Sequence, residues 1–194
     1  MDEAPSVMKT ATRQKLYYDI FETRAGWVGA IASEIGVRKA TIPQPSPADC
    51  ADELGPDLDA ADHEPDMLAG FRDALQGYFQ GEAVDFSAIP TDFADAPPFM
   101  RAAWQACRSI PRGETRTYKW LAEEAGSPNA ARGAGQAMAR NRVPFLVPCH
   151  RVVASGGGLG GYGSGKAALA LKQWLIDDEA SEDKGPPPPH WWRS

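Results

Sequence analysis

Cysteine and histidine are scarce in this chain of 194 residues, which holds three of each. Cys50, Cys107 and Cys149 are odd in number and widely spaced, which argues against a disulfide framework, and no Cys-x-x-Cys pair offers a thiolate clamp for a metal. No apolar run reaches the roughly 18 residues that a membrane-spanning helix needs. Met1 to Thr10 carries acids and no apolar stretch of the secretory kind. These absences predict a soluble, cytoplasmic protein in a reducing compartment, with no metal site and no contact with a membrane. What is present is enough apolar material, 43% of residues, to build a packed core in one large domain or two small ones.

The net charge of −6 hides a division. Residues 1–97 carry 7 basic and 18 acidic groups, net −11, whereas residues 98–179 carry 11 basic and 6 acidic groups, net +5. A basic second half is compatible with a polyanion partner, although charge fluctuates this much between ordinary domains and is no evidence by itself.

Three segments rich in β-branched and aromatic residues, Leu16–Glu22, Gly26–Ser33 and Gly36–Pro43, predict a small antiparallel meander. An acidic, Pro-containing connection follows to about Pro65, with Cys50 in it as a surface or half-buried thiol. Leu68, Phe71, Leu75, Tyr78 and Phe79 recur at helical spacing, and Gly81 stands where that helix should stop. Pro90 to Pro98 reads as a domain linker. Beyond it, Met100, Ala103, Trp104 and Cys107 share one helical face, so Cys107 is a core residue. Thr117 can cap a helix to Ala125, and Ser127-Pro128 starts another running to about Arg140. Helix, tight glycine turn, helix is the helix-turn-helix pattern. The second helix consists mostly of Ala and Gly, which suits close helix packing and equally suits pressing a backbone into a DNA groove.

The chemistry-bearing segment follows. The apolar run Phe145-Leu146-Val147 reads as a strand leading into Pro148-Cys149-His150-Arg151, and seven glycines lie between Ser155 and Gly165. A last helix covers about Lys166 to Glu179, before a Pro-rich tail, 180–194. The glycine loop contains a G-x-G-x-x-G match and a G-x-x-x-x-G-K match. The latter is followed by Ala167 where a P-loop needs Ser or Thr to hold Mg²⁺, so no nucleotide cofactor is expected. A lone Cys after an apolar strand is usually inert, but Cys149 beside His150-Arg151 has an electropositive setting that favours a thiolate nucleophile. Neighbouring side chains on an extended backbone diverge, so His150 would reach the thiol through a water.

Ile110-Pro111-Arg112-Gly113-Glu114-Thr115, Tyr118, Leu121-Ala122, the Ala130–Ala139 helix, Asn141 and Pro148-Cys149-His150-Arg151-Val152 together resemble the 6-O-alkylguanine-DNA alkyltransferase family over about residues 98–179. The first half resembles that family's ribonuclease-H-like domain more loosely, through Tyr17-Tyr18 and Tyr78-Phe79-Gln80-Gly81-Glu82. The resemblance implies an α+β fold: an N-terminal ribonuclease-H-like domain (1–97), a mostly helical C-terminal alkyltransferase domain with a helix-turn-helix (98–179), and a flexible tail (180–194). It implies double-stranded DNA containing alkylated guanine as partner, leaves open whether alkylated thymine is also accepted, and implies a monomer without cofactor. Cys149 would accept the alkyl group, His150 would act as base, Glu179 would orient the imidazole and Asn141 would hold the turn. Tyr118 would protonate the departing guanine and press on the flipped nucleotide. Arg132 would enter the vacated stack, with Ala131, Gly135 and Arg151 also at the DNA. Tyr162, Pro144 and Met138 would wall the pocket, and backbone near Val152 and Gly163 would read the purine edge.

The physical requirements agree with that reading. The alkyl carbon on guanine lies inside the stack, so the base must be flipped at a cost of roughly a few kcal/mol, and a small-faced helix with an inserted side chain supplies the means. Two departures stand out: Arg142 occupies a position where the family usually has proline, and the chain is longer than the family pattern between Tyr162 and Lys172. The rivals are a non-catalytic lesion-binding relative, which lacks the acceptor Cys; a helix-turn-helix regulator, which needs more base-reading side chains than Gln136; and a cysteine hydrolase, which needs no DNA. His63 and His190 read as surface residues.

Overall fold

The computed structural model describes residues 14–163 and 165–181, and the side chains of residues 165–167 are left aside. Met1–Thr10, His190 and most of the Pro-rich tail lie outside the described residues. The architecture is mixed α and β, with a small sheet in the first half and helices dominating the second.

Strands β1 (Leu16–Thr23) and β2 (Gly26–Ser33) form a hairpin whose register runs from Leu16 opposite Ser33 to Thr23 opposite Gly26. Thr23 Oγ1 donates to Gly26 O (2.7 Å) and closes the turn. β3 (Val37–Ala40) continues the meander antiparallel to β2. Beyond that expectation, a fourth strand, β4 (Ala61–His63), runs parallel to β1, giving the order β3-β2-β1-β4.

The acidic connection is not irregular. It folds into helices α1 (Pro47–Leu54) and α2 (Pro56–Asp59). Ser46 Oγ accepts the Asp49 amide hydrogen, and Pro47 takes the first helical position, a standard helix start. Cys50 and Leu54, one turn apart, are buried against β2. A Cβ placed on Gly29 would lie 2.9 Å from Leu54 Cδ1. Cys50 is therefore a core thiol and not a surface one, and burial pushes its pKa up to about 11. Helix α3 (Ala69–Gln80) buries Phe71, Leu75, Tyr78 and Phe79 and stops at Gly81, whose φ of 95° is left-handed.

Pro90–Pro98, the segment expected to be a domain linker, is packed against the sheet. Val37 donates to Pro90 O and accepts from Asp92 N (both 2.9 Å), so this segment lies along the outer edge of β3, where Ala40 N also donates to Arg142 O (2.7 Å). Phe93 and Ala96 are buried with it. From there α4 (Pro98–Arg108) buries Ala103, Trp104 and Cys107.

β5 (Arg116–Thr117) leads into α5 (Tyr118–Glu124), capped by Thr117 Oγ1 accepting from Trp120 N. The next helix, α6 (Ala131–Ala139), starts later than the Ser127-Pro128 signal suggests. Ser127 N instead donates to Ala122 O (2.8 Å) behind Gly126, finishing α5, and Ser127 to Ala130 is a turn. In α6, Ala134 and Ala137 are fully buried, and Trp104 Nε1 donates to Ala137 O (2.9 Å), so part of the small-residue run serves helix packing. Short β6 (Val152–Val153) pairs in parallel with β5, and α7 (Gly165–Ala180) closes the fold. One apolar core joins both halves: Tyr78 and Phe79 meet Phe145, and Phe79 stacks on Trp174. Among the described residues no helix is long and apolar enough to cross a membrane.

Candidate active site

Cys149 does not follow a strand. Residues Asn141 to Pro148 form a compact turn in which Val147 N donates to Val143 O (2.9 Å), and Cys149–Arg151 is a single 3₁₀ turn. Phe145 sits in this turn at φ 71°, a backbone state that costs a bulky residue on the order of 1–3 kcal/mol. It is held there by packing against Tyr78, Phe79 and His150. Asn141 ties the turn together: its Oδ1 accepts from Val143 N (3.0 Å), and its Nδ2 donates to Val147 O (2.9 Å) and to Cys149 Sγ (3.1 Å).

The surroundings do not deliver a ready thiolate, contrary to the expectation from charge. Burial raises the Cys149 thiol pKa; the Asn141 hydrogen bond and the Lys172 ammonium oppose this without overcoming it. A proton acceptor is therefore required, and His150 is adjacent. Its Nε2 lies 2.9 Å from Glu179 Oε1, and both side chains are almost fully buried. Burial lowers the His150 pKa, with Glu179 pulling the other way, so the ring is neutral at pH 7. Glu179 is an acceptor there, which puts the hydrogen on Nε2 and leaves Nδ1, which has no partner among the described residues, as the basic nitrogen. Burial works against the Glu179 charge, but its bonds to His150 and Arg151 prevail and hold the carboxyl well below the usual range.

A cavity of about 250 Å³ opens at the thiol, lined by Tyr118, Gly135, Met138, Cys149, Tyr162 and Gly163 among others. That is below the roughly 300–1,000 Å³ of pockets for drug-sized ligands and suits one compact group. The β5–β6 pairing joins the strand before Tyr118 to the strand after Arg151, which brings Tyr118 to the cavity although it is distant from Cys149 in sequence. The glycine loop closes the other side. Gly160 has φ 69°, and a Cβ there would lie 2.6 Å from the Tyr118 hydroxyl, so only glycine lets the loop come this close.

Lys172, which the motif reading passed over, anchors that loop from below. Fully buried, it donates to Val152 O (2.7 Å), Leu159 O (2.5 Å) and Gly161 O (3.2 Å). Burial lowers its pKa to about 8. The available signal was its place at helical spacing with Ala168, Leu175 and Glu179, on the buried face of α7.

Other expected site residues fall elsewhere. Arg151, expected at the DNA, turns inward: Nε and Nη2 donate to Glu179 (2.8 and 2.9 Å) and Nη1 to Ile110 O (2.7 Å), because a buried carboxylate draws the nearest guanidinium. Pro144 and Val152 are buried but do not line the cavity, and Val152 O is taken by Lys172. Arg142 grips Asp95 with two bonds (3.0 and 2.8 Å) and covers Trp104, so it joins the halves and does not reach outward. On α6, Arg132 is exposed and has no hydrogen-bond or ion-pair partner among the described residues, with Ala131 half-buried beside it. His63 is exposed on β4.

Comparison with known proteins gives a consistent family. The family model for the DNA-binding domain of 6-O-methylguanine DNA methyltransferase matches residues 98–181. A methylated-DNA–protein-cysteine methyltransferase from Methanosarcina acetivorans is 34% identical over 86% of this chain and 99% of its own. One from Mycolicibacterium paratuberculosis is 44% identical over 58% of this chain and 65% of its own. The crystal structure of Mycobacterium tuberculosis OGT in complex with DNA is similar with a TM-score of 0.70 and 29% identity, over 87% of this chain and 96% of that one.

Proposed function

The chain belongs to the methylated-DNA–protein-cysteine methyltransferase family, and from that premise we propose that it repairs 6-O-alkylguanine in double-stranded DNA by moving the alkyl group irreversibly onto its own Cys149. The observation that carries this reading is a buried thiol at a base-sized cavity, with the next residue in the chain, His150, hydrogen-bonded to Glu179.

The target nucleotide is turned out of the duplex, and its base enters the cavity between Tyr118, Met138 and Tyr162. Arg132, on the exposed face of α6, fills the vacated stack, with Ala131 and Gly135 allowing the helix backbone to approach the groove. His150 Nδ1 takes the Cys149 proton through a water, and Glu179 balances the imidazolium. The sulfur attacks the alkyl carbon in line, a carbon–sulfur bond forms, and the bond from carbon to the guanine oxygen breaks. Tyr118 donates a proton to the departing guanine and is reprotonated from the relay. An alkyl thioether is a poor leaving group, so the product has no exit and each protein acts once.

The same reading treats α5, the turn after it and α6 as a helix-turn-helix, and the first half, 1–97, as a ribonuclease-H-like domain beside the alkyltransferase domain, 98–179. It takes the protein to be a cytoplasmic monomer. A lesion-binding protein without chemistry is disfavoured by Cys149 itself.

The test is incubation with duplex DNA carrying methylguanine, followed by peptide mass spectrometry. One methyl per protein on Cys149, and no second turnover, is the expected result. Clearance of excess lesion by substoichiometric protein would overturn the single-use mechanism. Cys149→Ser should bind the duplex while transfer falls on the order of a thousandfold or more.

A further inference from the structure

Four donor atoms among the described residues reach the Glu179 carboxylate, and three of them belong to His150 and Arg151. The fourth is the Tyr78 hydroxyl on α3, which donates to Oε1 at 2.8 Å across 101 residues of sequence. Oε1 is the oxygen that also faces His150, and this is the point where the first half of the chain touches the proton relay directly. The phenol is buried, and burial followed by the nearby Glu179 charge pushes its pKa well up, so it remains a donor. Its ring is fixed on several sides, by Phe79 (5.3 Å), Phe86 (5.5 Å), Phe145 (6.0 Å) and the Arg112 guanidinium (5.1 Å).

We infer that Tyr78 is a positioning residue of the alkyl-transfer relay, through which the N-terminal half sets how strongly Glu179 supports His150. The inference rests on the proposed roles of Cys149, His150 and Glu179. A hydroxyl donating to Oε1 withdraws charge from the atom that stabilises the imidazolium, and it also locks the carboxylate plane toward the ring. With the hydroxyl removed, Oε1 carries more charge against Nε2–H and His150 becomes more basic. The neutral, proton-accepting form of His150 is then reached only at higher pH.

The remaining charged and titratable groups around His150 stay in place in such a variant. Cys149 and Arg151 flank it in its own turn, and α7 brings Glu179 and Lys172. Tyr162 meets its ring from the glycine loop (6.5 Å), while Cys107 lies beneath Cys149 on α4. Arg112, paired with Asp178, covers Tyr78 itself.

The experiment is the pH dependence of single-turnover alkylation for the full chain, Tyr78→Phe, Glu179→Gln and the double variant. Tyr78→Phe keeps the ring contacts, and the acid limb of its profile should move up by about half to one pH unit. In the Glu179→Gln background the same change should move the limb no further. An unshifted limb in Tyr78→Phe, or a shift of equal size in both backgrounds, overturns the inference while leaving the relay standing. If Glu179→Gln itself leaves the profile unmoved, the relay reading fails and this inference with it. Should Tyr78→Phe not fold, 3-fluorotyrosine incorporated at position 78, a stronger donor, should move the limb down; no movement overturns the inference.

Discussion

Two buried carboxylates, one in each half, resemble each other in everything except what lies at the end of their hydrogen bonds. Asp92 is fully buried and accepts from Ser33 Oγ (2.8 Å), Gln14 Nε2 (3.0 Å), Arg38 Nη1 (3.1 Å) and Ala94 N (3.0 Å). Glu179 is as deeply buried and accepts from Tyr78, His150 and Arg151. Burial opposes the charge of both, and in both the hydrogen bonds win and hold the pKa below the ordinary value. Asp92 fastens the Pro90–Pro98 segment to β3 and ends on groups that neither titrate near neutrality nor react. Glu179 ends on an imidazole whose other nitrogen is unpaired among the described residues, next in the chain to a thiol at a cavity. A buried, ionised carboxylate is therefore no mark of a site; a reactive group one bond further along is.

The comparison can be broken by removing each carboxylate in turn. Asp92→Ala removes the acceptor shared by Ser33 Oγ, Gln14 Nε2, Ala94 N and one Arg38 nitrogen, while Arg38 keeps its ion pair with Asp95, and it should destabilise the fold by about 3 kcal/mol in urea titration. Alkyl transfer by the folded protein should stay within a few-fold of the parent. A large loss of rate with the fold intact would show that Asp92 belongs to the site. Glu179→Gln should slow transfer about thirtyfold, a smaller effect in free energy, and measurement of single-turnover rates with duplex substrate checks it.

The pH dependence of stability follows from the same pair. Both carboxyls are depressed in the folded chain, so their contribution is complete above the ordinary carboxylate range and is lost as pH falls through the folded values. Stability should decline below about pH 4, and Asp92→Ala should flatten that decline. Arg132→Ala sharpens the contrast between chemistry and base extrusion. Repair of duplex should slow about tenfold, reaction with free alkylated guanine much less, and equal losses on both substrates would remove Arg132 from the stack. The smallest effect belongs to Arg142→Leu, which breaks a part-exposed pair with Asp95 and should cost under about 1 kcal/mol by thermal or urea unfolding.

The sequence alone carried the meander of β1 to β3, the α3 and α4 helices, and the segment Pro148-Cys149-His150-Arg151, because each depends on local periodicity, caps or a short motif. It also carried the conclusion that Cys107 is a core residue. The Ser46-Pro47 and Ser127-Pro128 signals are alike, yet only the first begins a helix. Cys50 and Leu54 can bury against β2, whereas Ser127 is consumed in finishing α5. Tertiary structure alone decided that Arg151 is bonded to Glu179, that Arg142 joins the halves, and that Lys172 and Tyr78 stand around the site. Those outcomes turn on which charged and polar groups the packed chain brings together. Desolvation forces a buried carboxylate to collect its donors wherever the packed chain presents them, and for Glu179 these include a tyrosine 101 residues away.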